Sequence, residues 1–294
     1  MFHFLEISDY GVKLGLNNGR LVIQCLGKEP ACQSFDDLDA VILANPAVSV
    51  TGAVLSEFGR HRIPLIACDK SYQPVSVMTP LAYTPAEHDT MLEAQISASL
   101  PFKKSLWQRL VREKIHGQDK ILSMDGHESF LAGLMPKVRS GDPDNIEGRA
   151  AIQYWKTLNV FPRRDRLAND ANQFFNYAYA LIFSAFSRHI SAASLHPHLG
   201  IHHHNQYNPF CLASDLMEPY RAFADMIVLK LLRSQCNPAL SKENRIFIIK
   251  QLYEMTVSMA SKKTSLFNAV HETVVSFKRC LLQKDPQLLL LPAW

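Results

Sequence analysis

Residues 1–80 alternate short apolar runs with turn-forming residues, a pattern typical of β-strands. Apolar runs at 12–16 and 21–26 flank Asn17-Asn18-Gly19-Arg20, and an Asn-Gly pair in this setting predicts a β-hairpin. The same pattern predicts two buried strands, a helix between them and a final edge strand: 39–43, 63–67, 51–59 and 72–78. We therefore expect a small β-rich N-terminal domain over residues 1–80.

The remainder of the chain has a different periodicity. From residue 86 onward, apolar residues recur at helical spacing, as at Leu106, Leu110 and Ile115. Further helices are predicted at 149–158, 168–187, 215–233, 242–260 and 266–283. The fold class predicted from this pattern is α+β, in which the small N-terminal β domain is followed by a larger all-α domain over residues 86–294.

Composition narrows the class of protein. Of the 294 residues, 47% are hydrophobic and 20% are charged, which is typical of a globular protein. No apolar run approaches the ~20 residues that cross a bilayer, and the first residues have no signal-peptide pattern. We expect a cytoplasmic protein without a membrane partner.

No two of the six cysteines are separated by only two residues, which excludes a CxxC zinc or redox motif and favours reduced thiols.

The net charge of +4 is unevenly distributed along the chain. Residues 103–166 hold 13 basic and 8 acidic side chains, and residues 226–294 hold 10 basic and 4 acidic ones. Such stretches fit a polyanionic partner, although solvated helix faces give the same sums. The candidates for phosphate contact lie outside the apolar stripes: Lys103, Lys104, Arg163, Arg164, Arg166, Lys262 and Lys263.

Glu147 is the first residue with two possible roles. The segment around it resembles a helix start, in which Asp144 is the N-cap and Glu147, three residues later, closes a capping box. The alternative is that the Glu147 carboxylate takes part in chemistry. The local sequence leaves both interpretations open.

Two further clusters lie later in the helical region. Three histidines at 202–204 cannot all point the same way, so at most two could bind one ion, and a chance surface cluster is the alternative. Asp215 and Glu218 are three residues apart, which places like charges on one helix face. A shared cation would relieve their repulsion, as would a pairing with Arg221.

Taken together, the carboxylates and an imidazole form a donor set for a hard divalent ion, with the imidazole favouring manganese over calcium. Such an ion polarises a phosphodiester and activates a hydroxyl nucleophile. Combined with the basic stretches, this donor set predicts metal-dependent phosphoryl transfer on nucleic acid.

Three strings in these segments carry a resemblance to a known family: NIEGRAA at 145–151, LGIHHHNQYN at 199–208 and LASDLMEPYR at 212–221. The chain resembles the CRISPR spacer-acquisition integrases (the Cas one family), most closely their type II branch, over essentially its whole length. The resemblance implies a β-rich N-terminal domain that forms a dimer and a helical, metal-dependent catalytic domain.

The resemblance also implies a site. Glu147, His203 and Glu218 would bind one catalytic ion, manganese(II) or magnesium(II), with Asp215 as a nearby second acid; His203 is selected because it follows Gly200 by three positions. The implied reaction joins the 3′-hydroxyl of a foreign DNA fragment to a phosphodiester at the edge of a CRISPR repeat, by transesterification. The same centre would also make the protein a DNA endonuclease.

The partners implied by the resemblance are a double-stranded DNA fragment, the CRISPR repeat DNA, a second copy of the chain and the small second Cas protein. For the type II branch, the effector nuclease and a ring-forming adaptation protein are added. Two alternatives remain at this point. One is a structure-selective, metal-dependent nuclease of DNA repair, and the other is a non-catalytic DNA-binding scaffold whose carboxylates cap helices.

Overall fold

Strands dominate the N-terminal part of the chain and helices dominate the rest, which confirms the predicted α+β class. The computed structural model describes residues 4–69, 74–78, 85–161, 164–165, 168, 170–234 and 239–294. The N-terminal elements are β1 Phe4–Ile7, β2 Lys13–Asn17, β3 Arg20–Gln24, β4 Ala31–Gln33, β5 Ala40–Leu43, β6 Ser49–Val50, α1 Gly52–Arg60, β7 Leu65–Cys68 and β8 Pro74–Met78.

The local predictions for this part are confirmed. In the β2–β3 hairpin Asn17 pairs with Arg20, and the two turn residues between them, Asn18 and Gly19, have φ angles of 48° and 71°. These left-handed angles are the reason that an Asn-Gly pair favours this turn. Helix α1 begins after Thr51, whose side chain accepts a hydrogen bond from a backbone N–H of the first turn.

Two four-stranded sheets form the N-terminal part, with strand orders β4-β3-β2-β6 and β1-β5-β7-β8. In the second sheet β1, β5 and β7 are parallel, and β8 is antiparallel at the edge, where the final edge strand was predicted. Val41 and Leu65 pack into a core shared with α1 and the first sheet, whereas Ile42 and Ile66 pack against the helices. Successive strand residues point to opposite faces, so this sheet is buried on both sides.

Buried ion pairs also join the two parts of the chain. The Glu6 carboxylate on β1 lies 2.5 Å from Nε of Arg245, and both side chains are almost fully buried. Asp39, just before β5, pairs with Arg188 of the helix Asn172–Ala192, and both side chains are mostly buried. The predicted β-rich segment 1–80 is therefore packed and ion-paired against the helical part rather than standing apart from it.

The elements of the second part are α2 Pro85–Ser97, α3 Leu100–Met124, α4 Ile146–Leu158, α5 Asn172–Ala192, α6 Cys211–Leu216, α7 Arg221–Arg233, α8 Lys242–Glu254, β9 Thr256–Met259, β10 Lys262–Ser265, α9 Leu266–Gln283 and β11 Pro292–Ala293. The predicted helix over 242–260 is wrong in its last third, because α8 ends at Glu254 and β9 follows. Ala260 and Ser261 have φ angles of 46° and 68°, which turn the chain into a β9–β10 hairpin and cannot continue a helix. A small sheet of order β10-β9-β11 is thus added to the helical part.

Helix α3 lies in the middle of the helical part and carries residues toward the site. It contacts α4, α7 and the 3-10 turn Glu218–Tyr220. Its close approach to α7 depends on Gly117, where a Cβ would lie 2.8 Å from Cβ of Ala222. This close packing brings the α3 side chain one turn earlier, Lys114, near the turn that carries Glu218.

Two expectations from composition can be compared with the described residues. The five cysteines among them are free, and Cys68, Cys211 and Cys280 are buried, as expected for reduced thiols; Cys236 lies outside the described part. Within the same ranges, no helix is both long and apolar enough to cross a membrane.

Candidate active site

Helix α4, which carries Glu147, is capped without help from that residue. Asn145 is the N-cap, in a left-handed conformation with φ of 49°, and its side chain accepts a hydrogen bond from the Gly148 N–H at 3.1 Å. The Asp142 carboxylate accepts hydrogen bonds from the N–H groups of Ile146 and Glu147, each at 2.9 Å. The first N–H groups of the helix are therefore satisfied by Asn145 and Asp142.

The capping-box interpretation of Glu147, one of the two left open by the sequence, is accordingly wrong. Asp144 is not the N-cap but pairs with Arg139 at 2.8 Å. Because the cap lies one residue later than predicted, Gly148 instead of Glu147 occupies the position that closes a box. The Glu147 side chain points to Lys114 on α3, and Oε1 lies 2.5 Å from Nζ.

Glu218 converges on the same ammonium group. Its Oε2 lies 2.6 Å from Lys114 Nζ, an ion pair that lacks the alignment of a hydrogen bond. Its Oε1 accepts a hydrogen bond from Nε of Arg221 at 3.0 Å, the pairing considered from the sequence. Carboxylates from α4 and from the 3-10 turn after α6 therefore share one cation supplied by α3.

Burial and charge act in opposite directions at this cluster. Burial alone would raise the pKa of Glu218, but Arg221 and Lys114 lower it to about 2. Burial would lower the pKa of Lys114, but the Glu218 and Glu147 carboxylates more than reverse this and raise it. Glu218 and Lys114 are therefore both charged at neutral pH.

Asp215 is bound by the loop that carries the three histidines, residues 199–205, which we call the histidine loop. Its carboxylate accepts hydrogen bonds from the backbone N–H groups of Ile201 (2.6 Å), His202 (3.0 Å) and His203 (3.2 Å). A Cβ on Gly200 would lie 2.5 Å from the His203 carbonyl oxygen and 2.8 Å from Asp215 Oδ2. Only glycine lets the loop close this tightly around the carboxylate.

The imidazole of His203 is oriented by the same carboxylate. Its Nδ1 lies 2.5 Å from Asp215 Oδ1, and this hydrogen bond is the main reason that the pKa of His203 is raised. The Glu218 and Glu147 carboxylates raise this pKa further, so they lie near enough to act on the ring. A histidine whose Nδ1 is held by a carboxylate has Nε2 left for a ligand.

Two residues that hold the histidine loop escaped the sequence analysis. Gln95 on α2 is buried; its Nε2 donates to the carbonyl oxygens of His196 and Leu199, and its Oε1 accepts from the His196 N–H at 2.7 Å. The Trp107 ring on α3 stacks on His202 with centroids 4.2 Å apart and planes 4° apart. Both contacts span about a hundred residues, so no local pattern could have indicated them.

A further buried acid, also missed, lies next to the site. Asp225 on α7 accepts hydrogen bonds from the hydroxyl groups of Tyr154, at 2.8 Å, and Tyr179. Burial raises the pKa of Asp225 to about 6. The Arg221 guanidinium lies 4.7 Å from the ring centroid of Tyr179, which links this acid to the partner of Glu218.

A cavity of about 760 Å³ opens beside these residues. Its walls include Tyr179, Arg221 and Arg164, and the last of these was among the predicted phosphate contacts. Arg164 donates hydrogen bonds to Oδ1 of Asn172 and of Asn176, both at 2.7 Å. Its guanidinium is therefore held in the cavity wall by protein partners.

The other predicted phosphate contacts are dispersed. Lys103 and Lys104 lie in the first turns of α3, and Lys262 and Lys263 lie exposed on β10. Arg163 and Arg166 are outside the described residues. DNA contact by these side chains stays a prediction.

The donor atoms of the site are of the kind that bind a divalent ion, but they are not arranged around one. Among the described residues, no three His, Cys, Asp or Glu side chains are arranged to hold a metal ion as they stand. The Lys114 ammonium group contacts both the Glu147 and the Glu218 carboxylates. The donors themselves suit such an ion, because Glu147 and Glu218 already share one cation and His203 has Nε2 available. By the chemistry of its donors the site therefore fits a divalent ion, at carboxylates that the Lys114 ammonium group contacts in this structure.

The fold and the site together define the class of protein. It is an α+β protein with a β-rich part before a helical part, and the helical part holds two glutamates, an aspartate and a histidine in one cluster. The sequence matches the family described as CRISPR associated protein Cas1 over residues 5–245. The chain belongs to the Cas1 family, as the resemblance in its three motifs predicted.

Individual relatives agree with this assignment. The chain is 32% identical over 292 residues to the CRISPR-associated endonuclease Cas1 of Neisseria meningitidis serogroup C (strain 8013), covering 96% of this chain and 93% of the relative. Among solved structures, a casposase bound to integration product has a TM-score of 0.77 at 18% identity, covering 96% of this chain and 91% of that one. A Cas6-RT-Cas1--Cas2 complex has a TM-score of 0.82 at 18% identity, covering 98% and 36%. At this identity the structures show that the fold is shared.

Proposed function

We propose that this protein is a CRISPR adaptation integrase, a metal-dependent DNA endonuclease and transesterase that inserts foreign DNA fragments as new spacers at the repeat of a CRISPR array. The observation that carries the proposal is the convergence of Glu147 and Glu218 on one cation beside the oriented imidazole of His203. Membership of the Cas1 family and the relative named as an endonuclease support it.

In this proposal each residue of the site has a distinct task. Glu147, Glu218 and Nε2 of His203 hold the manganese(II) or magnesium(II) ion, which when bound stabilises the negative charge that builds up on the reacting phosphate. Asp215 is a positioning residue, because it holds the proton on Nδ1 of His203 and so directs Nε2 toward the ion. Arg221 keeps Glu218 ionised.

The proposed reaction exchanges one phosphodiester for another. The 3′-oxygen of the foreign fragment gives up its proton and forms a bond to phosphorus at the edge of the repeat, and the bond from that phosphorus to the 3′-oxygen of the adjoining strand breaks. The 3′-hydroxyl of that strand leaves, taking up a proton. One phosphodiester replaces another, so no external energy source is needed.

The proposed partners follow from the same assignment. They are a double-stranded DNA fragment, CRISPR repeat DNA, a second copy of the chain bound through the N-terminal part, and the small second Cas protein. The solved complex that contains Cas1 together with Cas2 supports the last of these. The effector nuclease and a ring-forming adaptation protein belong to the proposal only with the type II branch.

The test is strand joining by the full-length protein, in manganese, of a labelled DNA fragment to a plasmid that carries a CRISPR repeat. We expect Glu147→Ala, His203→Ala and Glu218→Ala each to lower joining by about a thousandfold or more, because a metal ion contributes several kcal/mol to transition-state stabilisation. DNA affinity measured without metal should be kept, since losing a carboxylate does not weaken phosphate binding. His204→Ala, which changes an exposed histidine next to the ligand, is the matched control.

The same assay separates the alternatives. A repair nuclease would hydrolyse branched DNA in manganese and give no joined product at the repeat. A non-catalytic scaffold would give neither reaction and would bind manganese only weakly. A Glu147→Ala protein with full joining activity would contradict the catalytic assignment.

A further inference from the structure

The candidate metal centre is electrically balanced by the protein's own side chains. Two carboxylates, Glu147 and Glu218, meet two cations, Lys114 and Arg221. The cluster is largely buried: the exposed fraction is 6% for the Glu218 side chain and 11% for that of Lys114. The formal charge of these four groups is zero before any ion is added.

Lys114 and Arg221 contact different carboxylate oxygen atoms. Arg221 bonds to Oε1 of Glu218 and makes no ion pair with Glu147 in the described structure. Lys114 lies 2.5 Å from Oε1 of Glu147 and 2.6 Å from Oε2 of Glu218, between the two carboxylates. A divalent ion that both carboxylates bind at roughly 2 Å needs the position of that ammonium group.

Adding a divalent ion to this cluster is therefore opposed in two ways. Lys114 blocks the position, and the buried site would acquire an excess of positive charge, which is costly where water is scarce. A phosphodiester of DNA brings negative charge to the same place. Lysine is suited to exchange partners, because its ammonium group is a compact charge on a flexible four-carbon stem.

We propose that Lys114 is an internal cation that holds the centre closed without metal, and that DNA phosphate draws it off the carboxylates so that metal and DNA bind cooperatively. The proposal rests on the proposed function, because it takes Glu147 and Glu218 as metal ligands. By linkage, DNA must raise the affinity for metal by the same factor as metal raises the affinity for DNA.

Calorimetric titration of the full-length protein with manganese, with and without a DNA duplex, tests the coupling. The duplex ends in 2′,3′-dideoxynucleotides, so no strand joining takes place during the measurement. For the unaltered protein we expect DNA to strengthen manganese binding by about tenfold or more, within the range usual for coupled sites. No change in manganese affinity on adding DNA would overturn the proposal without the use of any variant.

Lys114→Met tests the role of the ammonium group, because it removes the charge and keeps the stem. Without DNA we expect this variant to bind manganese about tenfold more tightly than the unaltered protein, and DNA to add less than about threefold. Its melting temperature should fall in the absence of metal, since Glu147 then loses its cation and Glu218 keeps only Arg221. It should rise strongly when manganese is added. Lys120→Met removes an exposed charge from the same helix and should change none of these values.

The remaining outcomes are also decisive. If DNA still strengthens manganese binding tenfold in Lys114→Met, the phosphate acts on the ion directly and the role given to Lys114 is wrong. If manganese affinity without DNA is the same in Lys114→Met and the unaltered protein, the ammonium group does not compete. Should Glu147→Ala and Glu218→Ala abolish joining in that case, the proposed function stands and only this inference fails.

Discussion

Two carboxyl groups on neighbouring elements, those of Glu218 and Asp225, are equally buried yet ionise very differently. Arg221 and Lys114 contact Glu218 and bring its pKa to about 2, against the effect of burial. Among the described residues, the Asp225 carboxylate accepts hydrogen bonds from the hydroxyl groups of Tyr154 and Tyr179, and burial raises its pKa to about 6. Burial is common to both, so the cations contacting Glu218 account for the difference.

The difference in ionisation determines which role each of the two acids suits. Glu218 is charged throughout the physiological range and already holds a cation, which suits a ligand for metal. Asp225 has no cation in direct contact among the described residues and instead fixes two tyrosines by hydrogen bonds. Tyr179 in turn packs on Arg221, so the second region supports the first through an aromatic contact.

The largest effect is expected from exchanging each acid for its amide. Glu218→Gln should lower strand joining by about a thousandfold, because a metal ligand and the partner of two cations lose their charge together. Asp225→Asn should leave joining within about threefold, since it keeps the shape and one acceptor. Joining assays on both variants, with DNA binding as the control, measure the contrast. Equal losses would mean that Asp225 belongs to the reacting centre.

A third acid extends the comparison, because Asp215 is held by three backbone N–H groups and by the His203 imidazole. Gly200→Ala should disrupt the set of N–H groups around Asp215, because the added methyl group meets backbone and carboxylate oxygens. We expect it to lower joining at least a hundredfold and the free energy of unfolding by about 3 kcal/mol. Gly133→Ala is the matched control, because a Cβ there meets nothing within 4 Å. Chemical denaturation and joining assays report both effects. A Gly200→Ala protein as stable as Gly133→Ala would contradict the close packing of the loop.

The raised pKa of Asp225 predicts a dependence of stability on pH. The group titrates near 3.8 when unfolded and near 6 when folded, so between these values the folded protein binds more protons. The free energy of unfolding contributed by this group is therefore greatest below pH 4 and is lost as the pH rises through 6. Asp225→Asn lacks this loss, so its stability relative to the unaltered protein should rise by roughly 2–3 kcal/mol between pH 4 and pH 7. Urea unfolding across this range measures the difference, and a flat difference would refute the raised pKa.

The smallest effect concerns the neighbours of His203. His202→Ala removes a ring stacked on Trp107 and should cost about 1 kcal/mol of stability with a modest loss of joining. His204→Ala should change neither quantity. The two histidines are therefore not equivalent controls, although the sequence alone gives no reason to separate them. Thermal unfolding of the two variants checks this, and identical melting temperatures would mean that the stacking contributes nothing.

The parts of the fold that sequence reasoning predicted are those with local causes. Asn18 and Gly19 adopt the left-handed angles that their turn requires, and Thr51 caps the helix that follows it. The failures have causes outside the local pattern. Helix α8 ends early because the following segment pairs with β10 and β11. The cap of α4 lies at Asn145, which together with the earlier Asp142 accepts hydrogen bonds from the first N–H groups of the helix.

The candidate site shows the same division. Glu147, His203, Asp215 and Glu218 were found because they lie in recognisable motifs, and the described structure brings their side chains into one cluster. Lys114 lies 33 residues before Glu147 in a helix of ordinary amphipathic pattern, so its role emerges only from the packing of α3. The metal itself stays a prediction.

The sheet β1-β5-β7-β8 has a consequence for how proteins of this fold can be recombined. A chimera that joins residues 1–80 of one relative to the helical part of another must preserve the surface around Ile42 and Ile66, together with the Glu6–Arg245 pair. A mismatch would leave a charged group buried alone, which costs several kcal/mol. Exchange of whole N-terminal parts is thus constrained by the helix-facing side of one sheet, whereas its other side packs within the N-terminal part itself and is exchanged with it.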